Sequence, residues 1–248
     1  MKIAVCVNHV PDTATKIKVA SDGKKIDTTG VTYIVNPYDE YAIEEGLKLK
    51  EKTSGTVYVI GLGNDAHKES LKKALAMGAD EGILIKTDKD FDSVTVAKLL
   101  ADEIKSLGCE VVFTGKQSID FDNSATGQMI SEFLGFNCVS NVVSLTIDDG
   151  SIEAEREIEG GREVVKTTFP AVITAQKGIN EPRYASLKGI MAAKKKVITE
   201  KPAADANSNT KSLGLRLPPP KNPGRILGSD AEAVKELVKL LREEAKVI

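Results

Sequence analysis

The sequence predicts a doubly wound α/β fold with a mainly parallel sheet, followed by an antiparallel meander and an extended C-terminal arm. Over residues 1–135, short apolar runs alternate with helical patterns, as in a parallel sheet that helices cover on both faces. Over residues 141–168, strand-like runs follow one another through tight-turn signals. Beyond residue 196 the periodicity is lost, and five of the nine prolines lie between Pro202 and Pro223. These three changes of pattern define the three parts of the predicted fold.

The first four strands and the helices between them follow from apolar periodicity. Each strand is a short apolar run, and each helix carries apolar residues three or four positions apart on one face. Asn36 and Pro37 begin the first helix as N-cap and first helical residue, and glycines end the other three helices. The predicted strands are residues 3–7, 56–62, 82–85 and 111–114. Of the four predicted helices, the first begins at Asn36, the second carries Leu71 and Leu75, and the third and fourth cover residues 96–107 and 125–134. A short β excursion is predicted around Asp22-Gly23.

The middle of the chain is predicted to add an antiparallel meander to this core. Its strands are residues 142–147, 152–158 and 162–168. Asp148-Asp149-Gly150 and Glu159-Gly160-Gly161 are the tight turns that join them. The apolar run 171–174 is then expected to return to the main sheet.

The C-terminal part is predicted to be an arm rather than a second globular unit, with a boundary between residues 1–199 and 200–248. Prolines keep such a segment extended. Disorder is the alternative for residues 203–210, which are poor in apolar side chains. Leu213, Leu215 and Leu217 alternate as on a half-buried strand. A helix from about Asp230 carries one apolar stripe that must pack on this domain or on a partner, namely Val234, Leu237, Val238 and Leu241.

Composition excludes several functional classes. The 248 residues carry a net charge of −2 and only 4% aromatic residues, which argues against nucleic acid binding. No apolar run approaches the ~18 residues that span a bilayer, so no membrane insertion is expected. Three widely spaced cysteines indicate reduced thiols and a reducing compartment. Because a strand starts directly after Met1 without a signal-peptide pattern, a cytoplasmic location is expected.

The sequence shows no catalytic apparatus of its own, so the protein is not expected to be an enzyme. There is no Ser/His/Asp or Cys/His arrangement and no metal-ligand spacing. His67 is predicted to be a solvated helix residue, whereas His9 ends the first strand, where sheet ligands bind. Neither the dinucleotide fingerprint nor the G-x-x-x-x-G-K-[ST] phosphate loop is present.

Three loops follow neighbouring parallel strands and predict a mononucleotide crevice. They are Cys6–His9, Val59–Asn64 and Gly115–Asn123. Helix N-termini after Asn36 and after Asn123 can present free backbone N–H groups to a phosphate, with Asn123 or Ser124 as the predicted N-cap of the second helix. The alternative is an ordinary capped loop beside an unoccupied crevice.

Three segments of the chain resemble the β subunit of electron transfer flavoproteins, in particular the human-like, AMP-binding branch. They are Asn36–Ala42 (NPYDEYA), Gly115–Met129 (GKQSIDFDNSATGQM) and Asn180–Leu187 (NEPRYASL), and the resemblance runs from Met1 to about Lys196. It implies a Rossmann-like fold of the adenine-nucleotide-binding type and an obligate heterodimer with an α subunit. It also implies transfer of electrons from flavoprotein dehydrogenases, such as the acyl-CoA dehydrogenases of fatty acid oxidation, toward the quinone pool through electron transfer flavoprotein–quinone oxidoreductase.

The resemblance implies two cofactors. AMP would occupy the crevice as a structural ligand, and FAD would lie mostly in the α subunit with one face covered by this chain. The loop Val10–Thr13 takes the flavin-covering role, although related proteins often have an aromatic residue where Thr13 stands. Departures from the human-like loop fall at Phe121, Asn123 and Ala125. The carried-over AMP positions are Cys6, Asn36, Pro37, Tyr38, Asp39, Val59, Ile60, Gly61, Leu62, Gly115, Lys116, Gln117, Ser118, Ile119, Asp120, Phe121, Asp122, Asn123, Ser124, Ala125, Thr126 and Gly127.

The resemblance also implies a docking segment for dehydrogenases. The residues expected there are Arg183, Tyr184, Leu187, Ile190 and Met191, followed by a short basic helix over 190–195. Leu187 would be the apolar anchor. Arg183, Lys188 and Lys194–Lys196 would form a charged rim that steers acidic partners.

Two alternatives to this function are kept. A bifurcating member of the family would hold a second FAD in place of AMP, but such members usually have glycine where Phe121 stands and Val-Gly-Pro in place of Thr126-Gly127-Gln128. A stand-alone adenine-nucleotide-binding regulator of the universal-stress type would share the sheet. Such a module has no use for the meander and the arm.

Overall fold

A computed structural model describes residues 1–221 and 223–248. Eleven strands and six α-helices form over these ranges, with a short 3₁₀ turn at Asp65–His67. The strands are β1 Lys2–Cys6, β2 His9–Pro11, β3 Tyr33–Val35, β4 Thr56–Gly63, β5 Glu81–Lys86, β6 Val111–Gly115, β7 Asn137–Asp148, β8 Ser151–Ile158, β9 Gly161–Thr168, β10 Ala171–Ala175 and β11 Ile198–Pro202. The helices are α1 Pro37–Thr53, α2 Lys68–Met77, α3 Ser93–Leu107, α4 Thr126–Leu134, α5 Leu187–Ala193 and α6 Ala231–Glu243.

Nine strands form one sheet in the order β11-β5-β4-β1-β6-β10-β7-β8-β9. The strands from β11 to β7 in this order run parallel. β8 pairs antiparallel with β7 on one side and with β9 on the other. This arrangement confirms the predicted doubly wound α/β fold with an antiparallel meander. β10 pairs with β6, so the predicted return of the chain to the main sheet is also confirmed.

The helices form one layer on each face of the sheet. α1 and α2 cover one face, where Ile43, Leu47 and Leu71 pack on β1 and β4, and α3 and α4 cover the other. Phe113 of β6 is fully buried under α1. Because both faces are covered, the inner strands are apolar at almost every position, as the sequence predicted.

Some pairings were not predicted. β7 begins at Asn137 rather than 142, and its first residues pair in parallel with β10. β2 and β3 form a separate antiparallel pair, while the predicted excursion around Asp22-Gly23 is reduced to one bridge between Val19 and Ile26. These strands were missed because they are short or mix polar and apolar residues, and their partners lie far away in sequence.

The expected domain boundary between residues 199 and 200 falls inside β11. This strand pairs in parallel with β5, at the edge of the sheet, so the chain leaves the sheet only after Pro202. Apolar and polar residues do not alternate along this strand. It includes Glu200, which pairs with Lys68, and Lys201, which pairs with Glu103. Charged residues are typical of edge strands, which explains why the sequence pattern did not indicate a strand.

The arm differs from expectation in one respect. Leu213, Leu215 and Leu217 form no strand and are exposed, so the predicted half-buried strand is wrong for the chain by itself. α6 begins as predicted, with the Asp230 side chain accepting a hydrogen bond from the Ala233 N–H. Within residues 1–221 and 223–248, no helix combines the length and apolar character needed to cross a membrane.

Candidate functional site

The carboxyl ends of β4, β1 and β6 lie side by side. Cys6 at the end of β1 pairs with Ile60 of β4, and Val5 pairs with Phe113 of β6. The three loops predicted to form a crevice therefore start from adjacent strands at one edge of the sheet. A crevice at this edge is where doubly wound sheets bind ligands.

Asp39, in the first turn of α1, connects two of these loops. Its Oδ2 accepts a 2.8 Å hydrogen bond from the Asn8 N–H, and its Oδ1 accepts hydrogen bonds from the Asn36 Nδ2 at 2.9 Å and the Gly115 N–H at 3.1 Å. Asn36 is fully buried and also donates to the Gln117 carbonyl. This cluster fixes the ends of β1 and β6 relative to the start of α1.

Burial changes the acid–base properties of this edge. It raises the pKa of Asp39 to about 7, although the hydrogen bonds from Asn8, Asn36 and Gly115 oppose the shift. Burial also raises the pKa of Cys6 far above the usual thiol value. Cys6 is therefore a neutral core side chain here, and the crevice holds no reactive thiolate.

The loop after β6 is held by hydrogen bonds between its own side chains and by hydrogen bonds to neighbouring segments. The Asn8 side chain donates to the Ser118 hydroxyl and to the Asp120 carboxylate, and the Gln117 side chain bridges Asp122 and Ser124. The remaining contacts are a hydrogen bond from the Ile119 N–H to the Asn36 Oδ1, a hydrogen bond from Asn123 to the Ser93 hydroxyl, and the Lys116 ammonium 5.1 Å from the Tyr38 ring centroid. Phe121 is exposed. The loop is thus preformed.

The start of α4 lies at the crevice and carries no side-chain cap among the described residues. Ala125 is the N-cap, and within the described chain no side chain makes a capping hydrogen bond there, so the predicted Asn123 or Ser124 cap is wrong. Asp122 and Ser124 both have positive φ values, which turn their side chains toward other partners. The first N–H groups of α4, from Thr126 onward, are consequently left for a ligand.

Two glycines let backbone segments approach closely at this point. A Cβ on Gly115 would clash with Asp39, and a Cβ on Gly127 would lie 2.5 Å from Thr174 Cγ2. Gln128, in the first turn of α4, has a buried Oε1 without a hydrogen-bond partner among the described residues. An uncapped helix start fits a bound phosphate group, whereas the Gln128 Oε1 is an acceptor and would need a hydrogen-bond donor.

The remaining predicted positions contribute backbone only. Val59 and Ile60 are fully buried with their side chains in opposite cores, and Gly61 and Leu62 continue β4 to the edge. Pro37 is the first residue of α1. Any ligand would meet β4 through its strand-end carbonyl and N–H groups.

A buried His9 and a half-buried His67 lie together next to the crevice. His9 Nδ1 lies 2.9 Å from the Ser70 hydroxyl, and its ring stacks on Tyr33 and lies 5.3 Å from the His67 ring. Burial lowers the pKa of both histidines, that of His67 to about 4. The solvated position predicted for His67 is confirmed only in part, because its half-buried ring fills the space beside Gly63, where a side chain would clash.

The predicted docking segment presents apolar side chains to solvent. Tyr184 is 98% exposed, Leu187 82% and Met191 68%, and Ile190 is also exposed. The basic helix begins at Leu187 instead of 190, with Ser186 as its N-cap. Arg183 departs from prediction, because its side chain is paired with two glutamates of α1 and is only partly exposed.

Sequence reasoning missed Ser93 and Thr174, and it included Asn8 only as a member of the loop Cys6–His9. Asn8 donates to Ser118 and Asp120 of the loop after β6, Ser93 receives the Asn123 side chain, and Thr174 packs on Gly127. Asn8 had a signal in the sequence, since it lies two residues after β1. The larger of two described clefts, about 530 Å³, lies away from the crevice and is lined by residues 12–32. The His/Cys/Asp/Glu residues in the described chain form no group of three that could hold a metal ion.

The fold and the site define a doubly wound α/β protein with a crevice and an uncapped helix start at the carboxyl edge of its sheet. A family model, the electron transfer flavoprotein domain, matches residues 24–206. The electron transfer flavoprotein subunit beta of Bacillus subtilis (strain 168) is 39% identical over a 259-residue alignment covering the whole of both chains. The mitochondrial subunit beta of Arabidopsis thaliana is 37% identical, again over the whole of both chains. That of Mus musculus is 34% identical over all of this chain and 99% of its own. The chain belongs to the electron transfer flavoprotein β-subunit family, which carries electrons, and the resemblance of the three segments is confirmed.

Proposed function

We propose that this chain forms an obligate heterodimer with an electron transfer flavoprotein α subunit. The heterodimer accepts electrons from flavoprotein dehydrogenases, such as acyl-CoA dehydrogenases, and passes them toward the quinone pool through electron transfer flavoprotein–quinone oxidoreductase. The observation that carries this proposal is the pair of separate exposed apolar surfaces, on α5 and on α6, in a chain of this family. One surface serves the dehydrogenase and the other serves the α subunit.

The crevice binds AMP as a structural ligand. The free N–H groups at the start of α4 receive the phosphate, while Gly115 and Gly127 let the end of β6 and the start of α4 pack closely on Asp39 and Thr174. The strand ends of β1 and β4 offer carbonyl and N–H groups to the adenine edge. The one carboxylate of the crevice described above with a raised pKa, Asp39, is occupied by three hydrogen bonds within the protein, which supports a ligand held without turnover.

FAD supplies the redox chemistry when bound, and most of its binding site belongs to the α subunit. This chain covers one face of the flavin ring and keeps water away from it. The loop Val10–Thr13 follows β1 and is positioned by the pairing of β2 with β3. Thr13 contributes no aromatic face, so the loop acts through its backbone and its shape.

The experiment that tests the crevice is identification of the nucleotides released when the purified heterodimer is denatured. One AMP and one FAD per heterodimer are expected. Two FAD and no AMP would replace this proposal with the bifurcating function. Ala125→Asp adds a negative charge at the phosphate position, and AMP should be lost. Ala125→Gln, which introduces the neutral residue of the human-like branch, is the control and should retain AMP.

A further inference from the structure

Arg183 lies at the base of the docking segment and is held by α1. Its Nε and Nη2 donate to the two carboxylate oxygens of Glu44, at 2.8 and 2.9 Å, and its backbone N–H donates to Glu44 Oε2 at 3.1 Å. Its Nη1 donates to Glu51 Oε1 at 2.5 Å. Glu44 is only 4% exposed. A two-pronged Arg–carboxylate pair fixes orientation as well as distance.

Two further contacts fix the same segment at its ends. The Asn180 side chain donates to the Tyr41 carbonyl and to the Glu45 carboxylate, each at 2.9 Å. At the other end, Gly189 of α5 lies so close to the Ala76 carbonyl of α2 that any side chain there would clash. The segment between these contacts carries Tyr184 and Leu187.

From this geometry we propose that Arg183 is a positioning residue for dehydrogenase docking. Its guanidinium group, clamped between Glu44 and Glu51, holds residues 184–191 in the conformation that presents Leu187 and Met191. Arg183 then acts through Glu44 and does not touch the dehydrogenase. This inference rests on the proposed function of the segment, and it replaces the role of Arg183 in a charged rim.

A clamp and a direct contact have different consequences. A rigid segment presents its apolar anchors without an ordering cost on binding, so loss of the clamp weakens docking and loosens the segment in the free heterodimer. If Arg183 instead contacted the dehydrogenase directly, its replacement would leave the mobility of the segment in the free heterodimer unchanged. The replacement would instead lower the dependence of the association rate on ionic strength.

The test compares heterodimers with Arg183→Met, Arg183→Lys and Glu51→Gln, with Lys188→Met as the control at an exposed neighbouring cation. Amide hydrogen exchange over residues 184–191 is measured without any partner. We expect exchange to accelerate by about tenfold in Arg183→Met, and less in Arg183→Lys, which keeps the charge but not the fork. Glu51→Gln, an exposed and mild change, should also accelerate it. Unchanged exchange in all three variants would overturn the clamp.

The second readout is reduction of the heterodimer by an acyl-CoA dehydrogenase supplied with its acyl-CoA substrate. Arg183→Met should raise the KM for the heterodimer roughly fivefold or more, with kcat and the salt dependence of kcat/KM preserved. The effects of Arg183→Met and Glu44→Gln should not add, because both break one unit. Additive effects, or a lost salt dependence in Arg183→Met, would contradict positioning. If Leu187→Ala leaves KM unchanged while exchange still accelerates in Arg183→Met, the docking role fails and the clamp stands.

Discussion

Asp39 supports the crevice through three accepted hydrogen bonds. At pH 8, above its pKa of about 7, the carboxylate accepts from Asn8, Asn36 and Gly115. An asparagine has a single acceptor oxygen, and its NH₂ group would face an N–H donor. Asp39→Asn should therefore lower the free energy of unfolding by about 1–3 kcal/mol. Urea unfolding at pH 8 measures this loss, and Asp120→Asn, which changes an exposed carboxylate in the loop after β6, should change stability far less.

His67 makes the stability of the chain depend on pH. Its pKa in the fold is about 4, below the ordinary histidine value of 6.5, because burial disfavours the charged ring. The unfolded chain therefore takes up a proton first as the pH falls. Stability is lost between about pH 6.5 and pH 4 and is unaffected by this group above that window. After discounting for partial exposure, the loss is about 1–2 kcal/mol.

The measurement compares urea midpoints of the full chain and of His67→Gln at pH 7.5 and pH 5. The unmodified chain should lose more stability over this interval than the variant, because glutamine does not titrate. Equal losses in the two proteins would mean that His67 is solvated in the folded state.

Single residues at the site were predictable where position along a strand or helix defines their role. Asn36 and Asp39 stand at the start of a helix next to a strand end, and both lie at the crevice. The cap of α4 was not predictable, although Asn123 and Ser124 are favoured cap residues. The positive φ of Ser124 and the distant Ser93 hydroxyl redirect these side chains, and neither leaves a trace in local sequence.

At the scale of elements, α3 connects the α/β core to the arm. Asp92 caps α3 by accepting from the Thr95 N–H, and it also accepts from the N–H groups of Asn209 and Thr210. Hydrogen bonds from the Thr95 side chain and from these backbone N–H groups lower the pKa of Asp92 to about 2. They hold residues 209–210 against the start of α3, although the composition of residues 203–210 is typical of disorder.

Replacement of Asp92 should free the first residues of the arm from the start of α3. Asp92→Ala removes the cap and both arm contacts, and it should destabilise α3 by about 1 kcal/mol. Residues 207–210 should become sensitive to limited proteolysis, with cleavage mapped by mass spectrometry. The control is Asp90→Ala, which loses only an exposed ion pair with Lys25 and should leave the cleavage pattern unchanged.

The exposed face of α5 gives a prediction for electron transfer. Leu187 is the most exposed apolar residue of this helix, and truncating such an anchor typically costs about 2 kcal/mol or more of binding. Leu187→Ala should slow reduction by an acyl-CoA dehydrogenase at sub-saturating concentration, without loss of FAD or of assembly. Val197→Ala removes an equally exposed apolar side chain outside α5 and should have no effect. Equal rates for both variants and the parent would exclude an anchor at Leu187.

The elements of the parallel core were predicted well because burial on both faces makes their strands apolar throughout. β11 and the first part of β7 were missed for the opposite reason. β11 is a charged edge strand. The Asn137–Ser140 part of β7 contains polar residues, and it is a strand because its backbone pairs with β10. Such strands are defined by long-range pairing, which no local pattern records.

At the scale of the whole molecule, the arm carries an amphipathic helix whose apolar stripe the described residues leave uncovered. Val234, Leu237 and Val238 of α6 are 60%, 46% and 40% exposed. We expect the α subunit to cover this stripe and to make the interface larger than the ~1,600 Å² of a standard complex. A truncation that removes α6 should begin after residue 210, because residues 209–210 are hydrogen-bonded to Asp92 at the start of α3.

Deleting residues 213–248 should leave a folded chain that no longer assembles with the α subunit or helps it to retain FAD. Co-purification and flavin absorbance measure both properties. Val234→Asp combined with Leu237→Asp should have the same effect in the full-length chain, whereas Lys235→Ala on the same helix should not. Normal assembly of the truncated chain with full flavin content would show that the arm is dispensable.

The strand order also has a consequence for synthesis on the ribosome. β5, β4, β1 and β6 are made first, and they form a four-stranded sheet whose two outer strands each lack a neighbour. β10 closes the β6 side and β11 closes the β5 side, and both come from the chain after the meander. Until Ile198–Pro202 has emerged from the exit tunnel, the apolar strand β5 is an open edge that invites pairing with other chains, whereas β11 then ends the sheet with the charged residues Glu200 and Lys201. Ribosome pausing before this point would therefore prolong the aggregation-prone stage, and pausing after it would not.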